Sequence, residues 1–454
     1  MTDTAASKAT PTPKDVFNIA WPLMLKAMML NAIVVIDAYL VSALGEAALA
    51  AMGLAAAFGS LLLGVLFAFS TATQIRIAQA MGTERPFALR TGFYAGVAIN
   101  LGATVIGVGL VLAFGGRLID AFAHTPWIAE QARNYLNVFL LLVFIEAIAQ
   151  CLGSYFNGRG RTIIPFQSYL IAVPVNVAVS YTLIHGNFGF PALGVMGAAA
   201  GSAVASLARL AFLALCFYRM TGGHLNEKGW LNGTLAASIK RHLIFALPIA
   251  GTFVSNAIAT YVLALLFARM SINQFAAMTL IAPWINLTGH IGTSVAQAAG
   301  IIVAQLLGSN RHGPELDIFL GKAWRMSMAA AAVVSVTYLV ICLASEHIYG
   351  NLEAETRATL YSFLPVLLLL PFPKGSNAMC GHSLRASGNT LYVMNVFVAA
   401  QWFFRVPLTA VFILYLDLSA TWVFALFLAE ELVKFPPFHL KIFKGDWKRG
   451  LQAE

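Results

Sequence analysis

The chain has 454 residues, 59% of them hydrophobic and only 10% charged, with a formal net charge of +9. Its mean hydropathy is +0.78. Soluble domains carry about 25% charged residues, so this composition excludes a fold that meets water on every side. The positive charge is dispersed along the chain instead of forming a basic run, which argues against nucleic acid as a partner and for a lipid bilayer.

A spanning helix needs about 20 mostly apolar residues to cross about 30 Å of hydrocarbon. Taken in chain order, segments near 15–43, 49–80, 87–114, 129–157, 163–186 and 192–219 meet that length. So do 238–268, 275–306, 314–347, 355–386, 390–414 and 418–442. The expected class is an all-α membrane protein with about twelve transmembrane helices. Pro22, Pro174, Pro248 and Pro371 fall inside these segments, which membrane helices tolerate. Runs such as LLLGVLFAF at 61–69 lack the alternation of a barrel strand. The polar opening MTDTAASKATPTPK does not read as a secretory signal.

The basic residues alternate by side. Lys8, Lys14, Arg85, Arg90, Arg159, Arg161, Lys228, Lys240, Arg241, Arg311, Lys322 and Arg385 fall on one set of loops and helix ends. Lys434, Lys441, Lys444, Lys448 and Arg449 are assigned to the same side, while the opposite loops hold Arg117, Arg133, Arg269 and Arg357. Positive residues mark the cytoplasmic side. Both termini are therefore expected in the cytoplasm of a bacterial inner membrane protein. Cys151, Cys216, Cys342 and Cys380 all lie in apolar spans and read as small apolar residues, not as disulfides or a metal site.

The chain repeats at half its length. A shift of 226 places Ala20 and Pro22 on Ala246 and Pro248, and Gln79, Gly82 and Arg85 on Gln305, Gly308 and Arg311. A shift of 228 places Gly153, Gly160 and Thr162 on Gly381, Gly388 and Thr390. An even number of spans per repeat gives two six-helix lobes related by a pseudo-two-fold axis along the membrane normal. The expected divisions are an N-terminal tail at 1–14, an N-lobe at 15–219, a linker at 220–237, a C-lobe at 238–442 and a C-terminal tail at 443–454. Folds of this plan place the substrate path between the lobes and work by alternating access.

The stretch WPLMLKAMMLNAIVVIDAYLVSALGEAALAAMGL, the glycine-rich turn NFGFPALGVMGAAAGSAVA at 187–205, QLLGSN at 305–310 and LRASGNT at 384–390 together resemble the multidrug and toxic compound extrusion (MATE) family over essentially the whole chain. The resemblance implies a twelve-helix, two-lobe exporter driven by an inward H⁺ or Na⁺ gradient. It implies a small organic substrate, no cofactor beyond the coupling ion, and a monomer.

An ionisable group at the bilayer centre costs at least about 2.5–3.5 kcal/mol. Asp37, Glu146 and Lys374 are the informative ones. Asp37 lies in IVVIDAYLV, where a carboxylate is either protonated or accompanied by a cation. The resemblance gives Asp37 the N-lobe coupling role, joined by Asn176, Ser180 and Ser202. Their oxygens could surround Na⁺, with Asp37 and Asn176 as its main ligands. Some family members have a second carboxylate where Ser180 stands, so H⁺ and Na⁺ both remain open. Packing and back-bonding are the ordinary roles of such serines.

Glu146 and Lys374 coincide under the shift of 228. Lys374 follows Pro371 and Pro373, which break a helix. The NorM-type branch carries acids where this chain has Asn256 and Lys374, so a C-lobe cation site of that kind is not expected. Lys374 could replace the coupling cation, attract an anionic part of the substrate, or pair with Glu146 across the lobes. Trp284, Trp402 and Phe403 are candidate cavity aromatics, although aromatic residues in spans are usually core or belt. His290 and His382 are candidate relays or packing residues, and Arg405 a packing charge. Lys26 and Arg76 are placed near the cytoplasmic interface, where their side chains can snorkel.

No nucleotide-binding P-loop, His-Glu-x-x-His or Gly-x-Ser-x-Gly motif occurs, and no acid cluster suits general acid–base work. Two alternatives stay open. A lipid-linked saccharide flippase of the same superfamily would want more basic residues than Lys374 in its cavity, and a membrane-embedded enzyme would want a catalytic cluster.

Overall fold

The computed structural model describes residues 10–83, 85–222, 228–350 and 352–449. Lys8, most of the expected N-terminal tail, the middle of the 220–237 linker and the last residues of the C-terminal tail lie outside these.

Among the described residues there is no strand, and twelve long helical segments follow one another as the apolar pattern predicts. They are α1 Pro13–Ser42, α2 Glu46–Thr83, α3 Pro86–Phe122, α4 Pro126–Gly158, α5 Ile163–His185 and α6 Val195–Thr221. Then come α7 Leu235–Phe267, α8 Ile272–Gly308, α9 Pro314–Leu343, the broken α10 (Ala354–Leu369 with Pro371–Ala386), α11 Thr390–Leu414 and α12 Ala420–Lys444. Ten of these are long and apolar enough to cross a bilayer, and α10 adds an eleventh if its two pieces, bent by 43°, form one span. The last helix, α12, stands apart because Glu430, Glu431 and Lys434 interrupt its apolar run.

Local chemistry sets the helix ends. Pro86, Pro126 and Pro314 sit in first turns, where the missing N–H has no helical partner to lose. Thr125 caps α4 by accepting the Ile128 N–H at 3.2 Å. Gly186 and Gly222 close α5 and α6 with φ of 73° and 51°, left-handed values that carry no Cβ penalty in glycine. The α10 bend falls at Leu370, just before Pro371 and Pro373, neither of which has the N–H that a continuous helix would use.

The repeat reappears in the helix boundaries. Moved by 226, α2 covers 272–309, and α8 is Ile272–Gly308. Moved by 228, α4 covers 354–386, the limits of α10. One departure is local: Pro174 of α5 maps to Trp402, which lies in a π-helical turn, Ala400–Arg405, inside α11.

Two compact units result. One is Leu25–Val254; the other joins the described residues before Leu25 to those from Ser255 onward. Both divisions fall inside a helix that opens a repeat, α1 and α7. The first unit centres on Ala51, Ala55, Ala132, Leu136, Ala198 and their neighbours. The second centres on Ala277, Ile281, Phe363, Phe424 and theirs, with Phe363 and Phe424 stacked at 4.2 Å between ring centroids. Outward, Val35, Ile106, Leu265 and Leu343 are each more than half exposed. Such apolar faces are a liability in water and the expected surface in lipid.

Candidate coupling and substrate site

The first unit gathers the four residues assigned to cation coupling. Their approach rests on Gly197 and Gly201, one turn apart on α6. A Cβ on Gly197 would stand 2.7 Å from the Ile184 backbone nitrogen, and one on Gly201 2.6 Å from the Ser180 nitrogen. Small residues at this spacing let membrane helices touch backbone to backbone. Here they bring Ser202 of α6 against Asn176 and Ser180 of α5, and all three against Asp37 of α1.

Ser202 Oγ donates to Asp37 Oδ2 at 2.6 Å. Asp37 Oδ1 accepts from Asn176 Nδ2 at 3.1 Å and from Ser180 Oγ at 3.4 Å. Asn176 Nδ2 also donates to Ser202 Oγ at 2.9 Å. All four residues are buried, Asn176 and Ser180 completely. Among the described residues every donor to Asp37 is neutral, and no lysine, arginine or histidine pairs with it. Tyr135 of α4, also buried, lies within electrostatic reach. The Asn176 carbonyl oxygen, Oδ1, is buried without a partner.

An unpaired polar atom costs about 1–3 kcal/mol when buried, so the orphaned oxygen tests the fit of a cation. Na⁺ taken up between this oxygen and the Asp37 carboxyl would give it a partner. The donor set is all oxygen, which suits Na⁺ or H⁺ and not a soft metal.

Glu146 has a partner that the sequence did not suggest. It pairs within its own unit with Arg209 of α6, which the sequence reading missed, so a Glu146–Lys374 pair gives way. Ser206 Oγ donates to Glu146 Oε1 at 2.7 Å and Gln150 Nε2 to Oε2 at 3.2 Å. Arg209 also lies 4.6 Å above the Tyr169 ring. Lys26 feels the charges of both Arg209 and Glu146, so it belongs to this cluster and does not reach for the interface. Arg76 likewise stays inside, 4.5 Å over the Phe245 ring. A lone arginine in the run ASLARLAFLAL was the available signal for this buried ion pair.

The second unit holds the complementary charges. Lys434 donates to Glu430 Oε1 at 3.2 Å and to Glu431 Oε1 at 2.7 Å. Arg405 donates to Glu430 Oε2 at 2.9 Å, and Asn377 to Glu431 Oε2 at 2.9 Å. Lys434 is 3% exposed, so it is an internal charge and not a free one on the cytoplasmic side. Arg405 and Lys434 thus share two carboxylates, with Lys374 as a third base within electrostatic reach. Lys374 senses Glu431 most strongly yet has no hydrogen bond or ion pair among the described residues. It lines a pocket with Thr288, Ser327, Tyr338 and Gly375.

The remaining candidates are dispersed. Asn256 Oδ1 accepts from Gln401 Nε2 at 3.2 Å, and Trp402 donates to Ser255 Oγ at 2.8 Å. Trp284 donates to Tyr349 Oη at 2.9 Å and packs on the core. His290 lies within the field of Lys374. Trp284, His290 and Trp402 are not among the residues lining the Lys374 pocket. Phe403 is 84% exposed and faces outward.

The MatE family model matches residues 22–182 and 248–411, one stretch in each half. An uncharacterized transporter, YisQ of Bacillus subtilis, is 21% identical over 95% of this chain and 94% of its own. A probable multidrug resistance protein NorM of Bradyrhizobium diazoefficiens is 25% identical over 90% and 88%. A NorM of Streptococcus pneumoniae is 24% identical over a shorter match, 61% of this chain and 60% of that one. The fold is shared with a MATE protein crystallised in a bent conformation (TM-score 0.85, 16% identity, 97% of each chain). It is shared too with an outward-facing multidrug resistance MATE transporter (TM-score 0.81, 16% identity, 95% and 96%). The family match over both repeats, the twelve helical segments and the two compact units agree: the chain belongs to the MATE family of multi-pass membrane transporters.

Proposed function

We propose that this transporter is a secondary active exporter, moving a small organic solute out of the cell in exchange for H⁺ or Na⁺ moving in. The observation that carries the reading is Asp37, a buried carboxyl group met only by neutral donors beside the orphaned Asn176 oxygen. An ionised carboxylate in that setting is poorly compensated. A cation arriving from outside relieves it, so the first unit has two electrostatic states that an ion gradient can bias. Rocking of the two lobes, with substrate released outward as the cation binds, turns that bias into transport. The positive-inside pattern supports a bacterial inner membrane location with both termini cytoplasmic. The relatives named as multidrug resistance proteins support drugs or related metabolites as substrates.

A lipid-linked saccharide flippase finds less support. Arg209, Arg405 and Lys434 are all engaged by carboxylates, which leaves few bases for a large anionic headgroup.

Purified protein in proteoliposomes tests the exporter reading. Ethidium and carboxyfluorescein would be followed under an imposed Na⁺ gradient, an imposed pH gradient and neither. Gradient-dependent movement of either dye is the expected result. Movement indifferent to both gradients would overturn the proposal.

A further inference from the structure

The pocket beside Lys374 is built from one face of each of three helices in the second unit. Pro371, Lys374, Gly375 and Ala378 come from α10, at the spacing that places side chains on one helix face. Thr288 and Gly292 come from α8, and Ser327 and Tyr338 from α9. The free space is about 40 Å³, room for roughly three waters at about 10–15 Å³ each. That is too small for a whole drug-sized molecule and sufficient for one end group.

The polar lining consists of one ammonium group and hydroxyls, with no carboxylate among its residues. Two of its donors are uncommitted among the described residues. Lys374 Nζ has no hydrogen bond or ion pair, and the carboxylate it feels most, Glu431, is already engaged by Lys434 and Asn377. Ser327 Oγ is fully buried and has no partner. A Cβ on Gly375 would come within 3.0 Å of that hydroxyl, so the absence of a side chain there keeps it reachable. The pocket also adjoins the start of the second α10 piece at Pro371, the end of a helix that favours negative charge.

We infer that this pocket binds the carboxylate end of an organic anion, with Lys374 as counter-ion and Ser327 as hydrogen-bond donor. The inference rests on the exporter reading and names its substrate class: amphiphilic carboxylates, not only organic cations. An incoming carboxylate completes the local charge balance that three bases and two acids leave uneven. It also gives both unused donors a partner, and charge-assisted hydrogen bonds are the stronger kind.

The test uses the full chain in lipid nanodiscs and follows thermal unfolding while benzoate is titrated at constant Na⁺ and chloride. Benzamide, its neutral isostere, serves as the control. Benzoate is expected to raise the unfolding temperature saturably, and benzamide to leave it unmoved. Lys374→Met should weaken benzoate by more than about tenfold and Ser327→Ala by about tenfold, while Lys374→Arg retains it. Equal effects of benzoate and benzamide, no saturable benzoate shift, or full benzoate affinity in Lys374→Met would each overturn the inference. If Lys374→Met does not fold, Ser327→Ala decides in the same way. Asp37→Asn lies in the other unit and should bind benzoate normally. Failure of ion-driven transport with benzoate binding intact therefore counts against the coupling reading alone.

Discussion

Gly201 and Ser180 approach so closely that a Cβ on the glycine would stand 2.1 Å from the serine hydroxyl oxygen. Nothing larger than hydrogen fits, and the atoms displaced would be those around Asp37. Gly201→Ala should push α6 off α5 and lengthen the Ser202–Asp37 bond, with a loss of about 1–3 kcal/mol from overpacking. Thermal unfolding and gradient-driven dye efflux, measured on the same preparation, check this. Ser202→Ala leaves the helix contact intact but removes the donor to Asp37 Oδ2, and should weaken coupling at a cost of about 1–3 kcal/mol.

Arg209 and Glu146 are both almost fully buried, so removing one partner strands the other. Arg209→Met should cost about 3–5 kcal/mol. The double variant Arg209→Met with Glu146→Gln should be less destabilised than Arg209→Met alone, because no bare charge remains. Reversible unfolding in mixed micelles, arranged as a double-mutant cycle, gives the comparison.

Lys434 holds two glutamates of α12 together. Lys434→Met leaves Glu430 to Arg405 and Glu431 to Asn377, so a loss of about 3–5 kcal/mol is expected, the usual cost of breaking a buried ion pair. Adding Glu431→Gln should recover part of it, while adding Glu430→Gln would instead strand Arg405. The two double variants should therefore differ in unfolding midpoint, in that order.

The fold was legible because apolar length and proline placement are properties of the sequence alone. The repeat was legible because rare residues such as Gln79 and Gln305 fall in register. Asp37, Asn176, Ser180 and Ser202 were named through family resemblance, since spacing alone cannot bring α1, α5 and α6 together. The ion pairs were not legible. Glu146 looked available because its partner lies 63 residues away on α6, a separation that only packing closes. Lys434 looked like one more cytoplasmic-side charge because three charged residues end the apolar run of α12, and buried pairing was not evident from their order. The orphaned Asn176 oxygen and the two idle donors at Lys374 and Ser327 are features of hydrogen-bond geometry with no trace in the sequence.

The most direct measurement compares wild type with Asp37→Asn in proteoliposomes, under Na⁺ and pH gradients in turn. Wild-type efflux should respond to at least one gradient. Asp37→Asn, folded and incorporated equally, should show efflux at the level of empty vesicles under both. Gradient-driven efflux at the wild-type rate in Asp37→Asn would contradict cation coupling at this carboxyl group.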